Sequence, residues 1–422
     1  MTRLGSSRAR VAMSNLGCRV NRVELDAIAR ELEAAGCELV KEDDADAIVI
    51  NTCAVTGEAE AKARKAVRHA AGLPQEPIVL ATGCVASLFA PELEALAANV
   101  IVESDKALVA GRVLSELGVD CATGGLGALR SHSSSVTPTG RMRPGLKIQD
   151  GCDNRCTYCI VWKARGAARS VSPEEVLSGV RGLIEDGARE VVLTGIDLGR
   201  YESEGLDLAG LLARILEETE VARLRLSSIE PAGVTDELLR VMANSEGRVA
   251  PFLHIPLQSG CDATLSRMGR PYTVAEYEEV VERARMALPG LAVACDLIVA
   301  FPGETDEEFS ESLATCERIA FSKMHVFRYS RRPGTVAASM DGQVDPVVSA
   351  ERGRLMRECA AASRRSYVES LVGSEQLVLV EHDARGVTGG LVDVAVDEGH
   401  LGELISVVPS GLTPAGLLDA RS

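Results

Sequence analysis

Gly151-Cys152-Asp153-Asn154-Arg155-Cys156-Thr157-Tyr158-Cys159 follows a short apolar strand at residues 146–149 and carries three thiols in a C-x3-C-x2-C run. No fourth Cys or His lies close by. Three thiolates at this spacing suit a 4Fe-4S cluster in which one iron stays open to a further ligand. The alternative is a structural zinc knuckle, but zinc takes four protein ligands, usually as two pairs, and the next cysteine is Cys261.

Beyond this loop, strand and helix patterns alternate. Apolar runs at 190–194, 223–227, 252–255, 291–300 and 323–329 are separated by helical stretches at 206–217, 235–242, 274–286 and 305–319. With the strand at 146–149 these make six βα units, an open partial (βα)6 barrel, whose chemistry belongs at the C-terminal ends of the strands. Those ends carry Gly-rich or polar segments: Thr194–Gly199, Ser227–Pro231, His254–Gly260 and Phe301–Thr305. Gly195, Glu230, Gln258, Ser259 and Gly260 are the candidates there for contact with a cofactor, because Gly admits close backbone approach and a carboxylate can hold ribose hydroxyls. Each also has a local reading, since Gly shapes turns and Glu304-Thr305 starts a helix. His254 reads as a hydrogen-bonded core residue.

Upstream, apolar runs at 10–16, 47–51 and 77–81 alternate with helices expected at 22–35, 58–71, 91–98 and 106–117, the pattern of a small doubly wound α/β domain. Each of these strands ends in a cysteine: Cys18, Cys53 and Cys84. In an open parallel sheet the loops after the strands converge on one edge, so three thiols far apart in sequence can meet. A cysteine after a strand can equally be a small buried hydrophobe. Cys37, Cys121 and Cys359 lack this placement and read as structural.

Residues 119–140 are rich in Gly, Ser and Thr without apolar periodicity, a linker. Residues 346–371 read as one long mixed-charge helix. The tail has β-rich runs at 376–381, 390–396 and 401–408, suggesting a small β-barrel. With 422 residues, 46% of them hydrophobic, the chain can fill several cores. Twelve cysteines in a chain of this size point to metal or catalysis rather than a disulfide scaffold. No apolar run of about 18 residues exists and the first ten residues lack a signal-like stretch, so a cytoplasmic location is expected. A formal charge of -16 argues against non-specific coating of nucleic acid.

In order along the chain stand Gly17-Cys18 with Asn21, Asn51-Thr52-Cys53, Gly83-Cys84, the three-cysteine loop, Arg165-Gly166, the HIPLQSG run from His254 and the FPGET run from Phe301. This series resembles the radical SAM methylthiotransferases over about residues 10–370. The details Leu16–Asn21, Asn51–Thr56 and Gln149–Gly151 are most similar to its MtaB-type branch, which acts on threonylcarbamoyladenosine beside the tRNA anticodon. The resemblance implies an N-terminal methylthiotransferase domain over 8–118, a linker over 119–140, a radical SAM domain over 141–371 and a degenerate TRAM-like β domain over 372–420. It implies two 4Fe-4S clusters, one on Cys152, Cys156 and Cys159 that binds S-adenosylmethionine (SAM), and a second on Cys18, Cys53 and Cys84 that handles the transferred sulfur. It places Gly195, Glu230, Gln258, Ser259 and Gly260 around SAM. The implied reaction adds a methylthio group to carbon 2 of the adenine. The implied partners are tRNA, an electron donor such as flavodoxin or ferredoxin and a sulfur source, with no membrane.

Two other functions compete. One is methylthiolation of a ribosomal protein side chain; the other is a non-catalytic iron-sulfur protein, which would need neither the Gly195 and Glu230 loops nor a second set of thiols. The chain departs from the family at Trp162, where Pro is usual, at Ala300, where Gly is usual, and in its acidic tail. From Leu371 onward Glu375, Glu381, Asp383, Asp393, Asp397, Glu398, Glu403 and Asp419 face only Arg385 and Arg421. Phosphate contacts are therefore expected from the barrel rim: Arg141, Arg143, Lys147, Arg155, Lys163, Arg165 and Arg169, with Lys323, His325, Arg328, Arg331 and Arg332 as a second group.

Overall fold

A computed structural model describes residues 8–119 and 141–421. Cys121 and nearly all of the expected linker, residues 120–140, lie outside the described residues. Two compact units emerge among the described residues: 8–119 and Arg141 with Gly151–Asp153 and Ile160–Ala167, and Met142–Asp150 with Asn154–Cys159 and residues 168–421.

The first unit holds a parallel sheet of β1 (Arg10–Asn15), β2 (Glu38–Leu39), β3 (Ala47–Thr52), β4 (Ile78–Gly83) and β5 (Val100–Val102), in the order β2-β1-β3-β4-β5. Every residue of the central strand β3 is buried, as its unbroken apolar run requires. Its side chains alternate between two cores. Ile48 and Ile50 pack with Ala63 and Val67 of helix α2 (Gly57–Ala71), while Val49 packs with Leu25, Ile28 and Leu32 of helix α1 (Arg19–Ala34) and with Val113 of helix α3 (Val109–Leu117). Helices thus cover both faces, the doubly wound arrangement expected. Each fully buried Ile or Val contributes roughly 1.5–3 kcal/mol, so a charge at Val49 would break this layer.

Two strands here had no sequence signal: β2 and β5 are only two and three residues long and too short to show periodicity. Helix α1 begins at Arg19, three residues before its expected start, so Cys18 sits at its N-cap. Helix α3 begins at Val109 rather than 106 because Asp105 accepts the Ala107 N–H and holds the preceding turn apart.

In the second unit six strands run parallel in chain order: β6 (Gly145–Lys147), β7 (Glu190–Thr194), β8 (Arg223–Leu226), β9 (Phe252–His254), β10 (Ala292–Val299) and β11 (Lys323–Arg328). Parallel bridges between Leu224 and Val249 and between Ser228 and His254 join the two three-stranded halves. This is the partial barrel. Its N-terminal end is closed by a buried charge cluster, in which Arg223 Nε and Arg225 Nε each lie 2.5 Å from Glu190. The same guanidiniums donate to the Leu377 and Gly389 carbonyls at 2.7 and 2.5 Å, fastening the tail to the barrel floor. The helix Pro346–Ser370 starts at Asp345, whose side chain accepts the Val347 N–H, and packs along β11. Beyond it the tail forms a six-stranded, mostly antiparallel sheet around Val378, Val380, Val394 and Leu418. Its strand Arg385–Thr388 was not expected, because Gly386 interrupts the apolar run.

No helix among the described residues is long and apolar enough to cross a membrane.

Candidate active site

The register of the first sheet aligns Asn15 with Asn51 and Thr52 with Gly83, so β1, β3 and β4 end on one edge. Cys18, Cys53 and Cys84 follow directly. Cys18 is exposed at the α1 N-cap. Cys53 and Cys84 are buried. Burial pushes the Cys53 thiol up to about 11. The structure places all three after strands that end on one edge of the sheet.

The motif residues beside these thiols hold the edge rigid. Asn21 Nδ2 donates to Asn51 Oδ1 at 3.0 Å and to the Thr52 carbonyl at 2.8 Å, and Asn51 Nδ2 donates back to the Asn21 carbonyl at 2.7 Å. Both amides are fully buried, so each of these bonds is costly to lose. Gly83 has φ +94, and a Cβ there would stand 2.3 Å from the Thr52 carbonyl oxygen. Only Gly fits this turn.

In the loop that opens the chain's central motif, Gly151 has φ +72 with space for no Cβ, which would meet the Ala167 carbonyl oxygen at 1.9 Å. The Cys152 N–H donates to the Gly166 carbonyl at 3.1 Å. Cys156 is buried, and Arg270 Nη1 lies 3.1 Å from its sulfur. The same guanidinium pairs with Glu230 and stacks 4.9 Å from the Tyr272 ring centroid. Tyr272 donates to the Pro256 and Leu257 carbonyls, and burial pushes its hydroxyl up to about 12 although Arg270 works against this. Cys159 donates its N–H to the Cys156 carbonyl at 3.0 Å, and Thr157 is tied to Met268 and Arg267. Beside them Tyr158, Phe301 and Tyr329 make edge-on ring contacts at 6.4 and 5.4 Å.

The other candidates sit at the strand ends as expected. Gly195 follows β7, and a Cβ there would meet the Gln149 side chain at 2.9 Å, while the next two N–H groups donate to Gln149 Oε1. Gln258 has a left-handed φ of +66 and donates its N–H to the Asp296 carbonyl. Ser259 is fully buried, and Gly260 packs on Ser312 and Thr315 of the helix Asp306–Ile319. His254 is hydrogen-bonded to Ser228 at 3.2 Å, with Asp296 at 3.2 Å from its other nitrogen. Glu304 forms a buried pair with Arg352 at 2.8 Å, and Thr305 caps the following helix.

Several of the expected phosphate contacts are spent internally. Arg143 pairs with Glu381, Arg165 with Glu24, and Lys147 and Arg169 share Asp150. Arg332 is buried. Lys323 opens β11 whereas Arg328 ends it, about 16 Å further along at strand rise. Arg155, Arg328 and Arg331 remain exposed. In the tail Arg385 pairs with Asp393 and Arg421 with Asp419.

The model of the radical SAM superfamily matches residues 146–316, and that of the uncharacterized protein family UPF0004 matches residues 10–103. The threonylcarbamoyladenosine tRNA methylthiotransferase MtaB of Bacillus subtilis is 40% identical over 355 residues, 82% of this chain and 78% of that protein. The chain belongs to the radical SAM methylthiotransferase family. The protein of the same name from Thermotoga maritima is 33% identical over 98% of this methylthiotransferase and 97% of its own length. Among solved structures, the radical SAM methyltransferase TsrM of Kitasatospora setae shares the fold, with a TM-score of 0.55 and 16% identity over 79% of this chain and 77% of that one. The radical SAM fold brings a 4Fe-4S cluster and SAM to the methylthiotransferase as cofactors, and the Arg270 N–H 3.1 Å from the Cys156 sulfur suits a thiolate-held cluster.

Arg270, Tyr158 and Tyr272 escaped the sequence reading. Gly269-Arg270-Pro271-Tyr272 looks like a turn between two helices, and only folding carries it to the sulfur of Cys156, more than a hundred residues away in sequence.

Proposed function

We propose that this chain transfers a methylthio group to carbon 2 of N6-threonylcarbamoyladenosine next to the anticodon of tRNA. The similarity over nearly the whole length to relatives bearing that name carries the reading. The convergence of Cys18, Cys53 and Cys84 on one sheet edge supports it, because a methylthiotransferase must handle sulfur as well as SAM.

In this reading Cys152, Cys156 and Cys159 hold the SAM-binding cluster, and Cys18, Cys53 and Cys84 hold the second. When bound, the two clusters and SAM supply the electron, the radical and the sulfur for replacing the hydrogen on carbon 2. Arg270 fixes the Cys156 sulfur and offsets its negative charge, and its pairing with Glu230 presents that carboxylate toward the SAM side. Gly195 and Gln258, with Ser259 and Gly260 behind it, shape the backbone against which SAM lies. Tyr158, Phe301 and Tyr329 exclude water beside the cluster loop. Residues 8–118 handle sulfur, residues 141–371 SAM, and residues 372–420 form a TRAM-like domain too acidic to lead in phosphate binding. A flavodoxin or ferredoxin serves as electron donor, a separate source supplies sulfur, and a tRNA substrate puts the work in the cytoplasm.

The test replaces Cys18, Cys53 and Cys84 together by Ala and compares soluble, folded protein. Iron falls by about half, SAM cleavage to 5'-deoxyadenosine persists and methylthio transfer is lost. Repeated turnovers of methylthiolated tRNA by the triple variant would contradict the two-cluster assignment.

A further inference from the structure

Arg165 and Glu24 form an ion pair at 2.8 Å with side chains only 7% and 3% exposed. Taking two charges out of water costs several kcal/mol per ion, so a buried pair is a poor way to strengthen a fold. It is better explained by what the charges stand beside. Arg165 Nη2 donates to Asn21 Oδ1 at 2.7 Å, and that same oxygen lies 3.5 Å from the Cys18 sulfur. Asn21 in turn donates to Asn51 Oδ1 at 3.0 Å and to the carbonyl of Thr52, the residue before Cys53, at 2.8 Å. Through Asn21 one buried cation therefore adjoins the loops of Cys18 and Cys53, and the carboxylate of Glu24 faces it from α1.

We propose that Arg165 is the positioning and charge-balancing residue for the cluster on Cys18, Cys53 and Cys84, with Glu24 setting how much of its charge that cluster feels. The proposal rests on the ligand assignment made under the proposed function. Thiolate ligands make the site electron-rich, and iron-sulfur potentials follow net charge and hydrogen bonds to the sulfurs. A cation at this position favours the reduced cluster, and its carboxylate partner moderates the effect. Lys in place of Arg would keep the charge but lose the planar fork that spans Glu24 and Asn21.

The test is an EPR-monitored redox titration, made in protein whose Cys152, Cys156 and Cys159 are all Ala so that only the second cluster reports. R165Q is expected to make reduction about tenfold less favourable, a fall of about 59 mV for a one-electron couple. E24Q is expected to shift the potential upward by a similar factor, and R165K to stay close to the parent. Shifts of the same sign in R165Q and E24Q, or changes below threefold in iron-loaded protein, overturn the proposal. If R165Q does not retain iron, E24Q decides the question: an upward shift of at least threefold supports the proposal, and a smaller or downward shift overturns it. A parent protein that binds no iron at all overturns instead the ligand assignment beneath it.

Discussion

Arg270 Nη1 stands 3.1 Å from the sulfur of Cys156. Through its other nitrogen the same guanidinium holds Glu230, so Cys156, a cluster ligand in the proposed function, and a residue beyond the end of β8 are fixed by one side chain. R270A leaves Glu230 without its cation and the Cys156 sulfur without its donor. We expect SAM cleavage to 5'-deoxyadenosine to fall at least tenfold in reduced, iron-loaded protein, with R270K between the two because it keeps charge but not the fork. An R270A variant as fast as the parent would remove Arg270 from the site.

Ala300 occupies a left-handed conformation, φ +59, where Gly is usual in the family. A Cβ in this region costs roughly 1–2 kcal/mol, and the greater freedom of unfolded Gly offsets about half of it. A300G should therefore raise stability by about 0.5–1 kcal/mol in urea unfolding, leaving the Ala300 N–H on Glu304 undisturbed. A lower midpoint in A300G would show that the neighbouring packing on the Ala300 methyl outweighs the strain.

Burial alone would raise the Glu190 carboxyl, but Arg225 and Arg223 outweigh it and hold it at about 2. Because the folded value lies below the ordinary one of 4.5, this contribution to stability is present above pH 4.5 and is lost as pH falls toward 2. Acid unfolding of the parent should steepen across that window. E190Q should lack the steepening and be less stable at neutral pH by about 3–5 kcal/mol, since it leaves two buried cations uncompensated. Identical acid limbs for the two proteins would show that the pair titrates elsewhere.

For tRNA binding, R328E with R331E should weaken affinity at least tenfold and flatten the salt dependence, as lost phosphate contacts do. R385A with R421A should change it less than twofold, because Asp393 and Asp419 already hold those guanidiniums. The reverse ranking, measured by filter binding at two salt concentrations, would make the tail the main tRNA surface. Point substitutions are the cleaner probe, since deleting the tail would strip Arg223 and Arg225 of the carbonyls they bind.

The two parallel layers and the strand order of the barrel were legible because each rests on a local pattern, an apolar run followed by a helix, and the same pattern places Cys18, Cys53 and Cys84 after strands that end on one sheet edge. What escaped depends on distance in sequence. Asn21 and Arg165 stand in the motif series, but nothing local shows that folding joins them, with Glu24, across about 140 positions. The basic stretch from Arg141 to Arg169 misled for the same reason, because Glu24 and Glu381, which absorb two of its charges, lie in other parts of the chain. The start of α1 was placed late because Arg19 and Val20 precede the clear apolar stripe, yet that first turn is what puts Cys18 at a helix N-terminus.

The central claim is most directly tested by mass spectrometry of nucleosides from tRNA of cells that contain or lack this chain. The account predicts the methylthio derivative of N6-threonylcarbamoyladenosine only where the chain is present, with the unmodified nucleoside accumulating in its absence. Equal amounts of the derivative in both, or a methylthio group gained by a ribosomal protein instead, would contradict it.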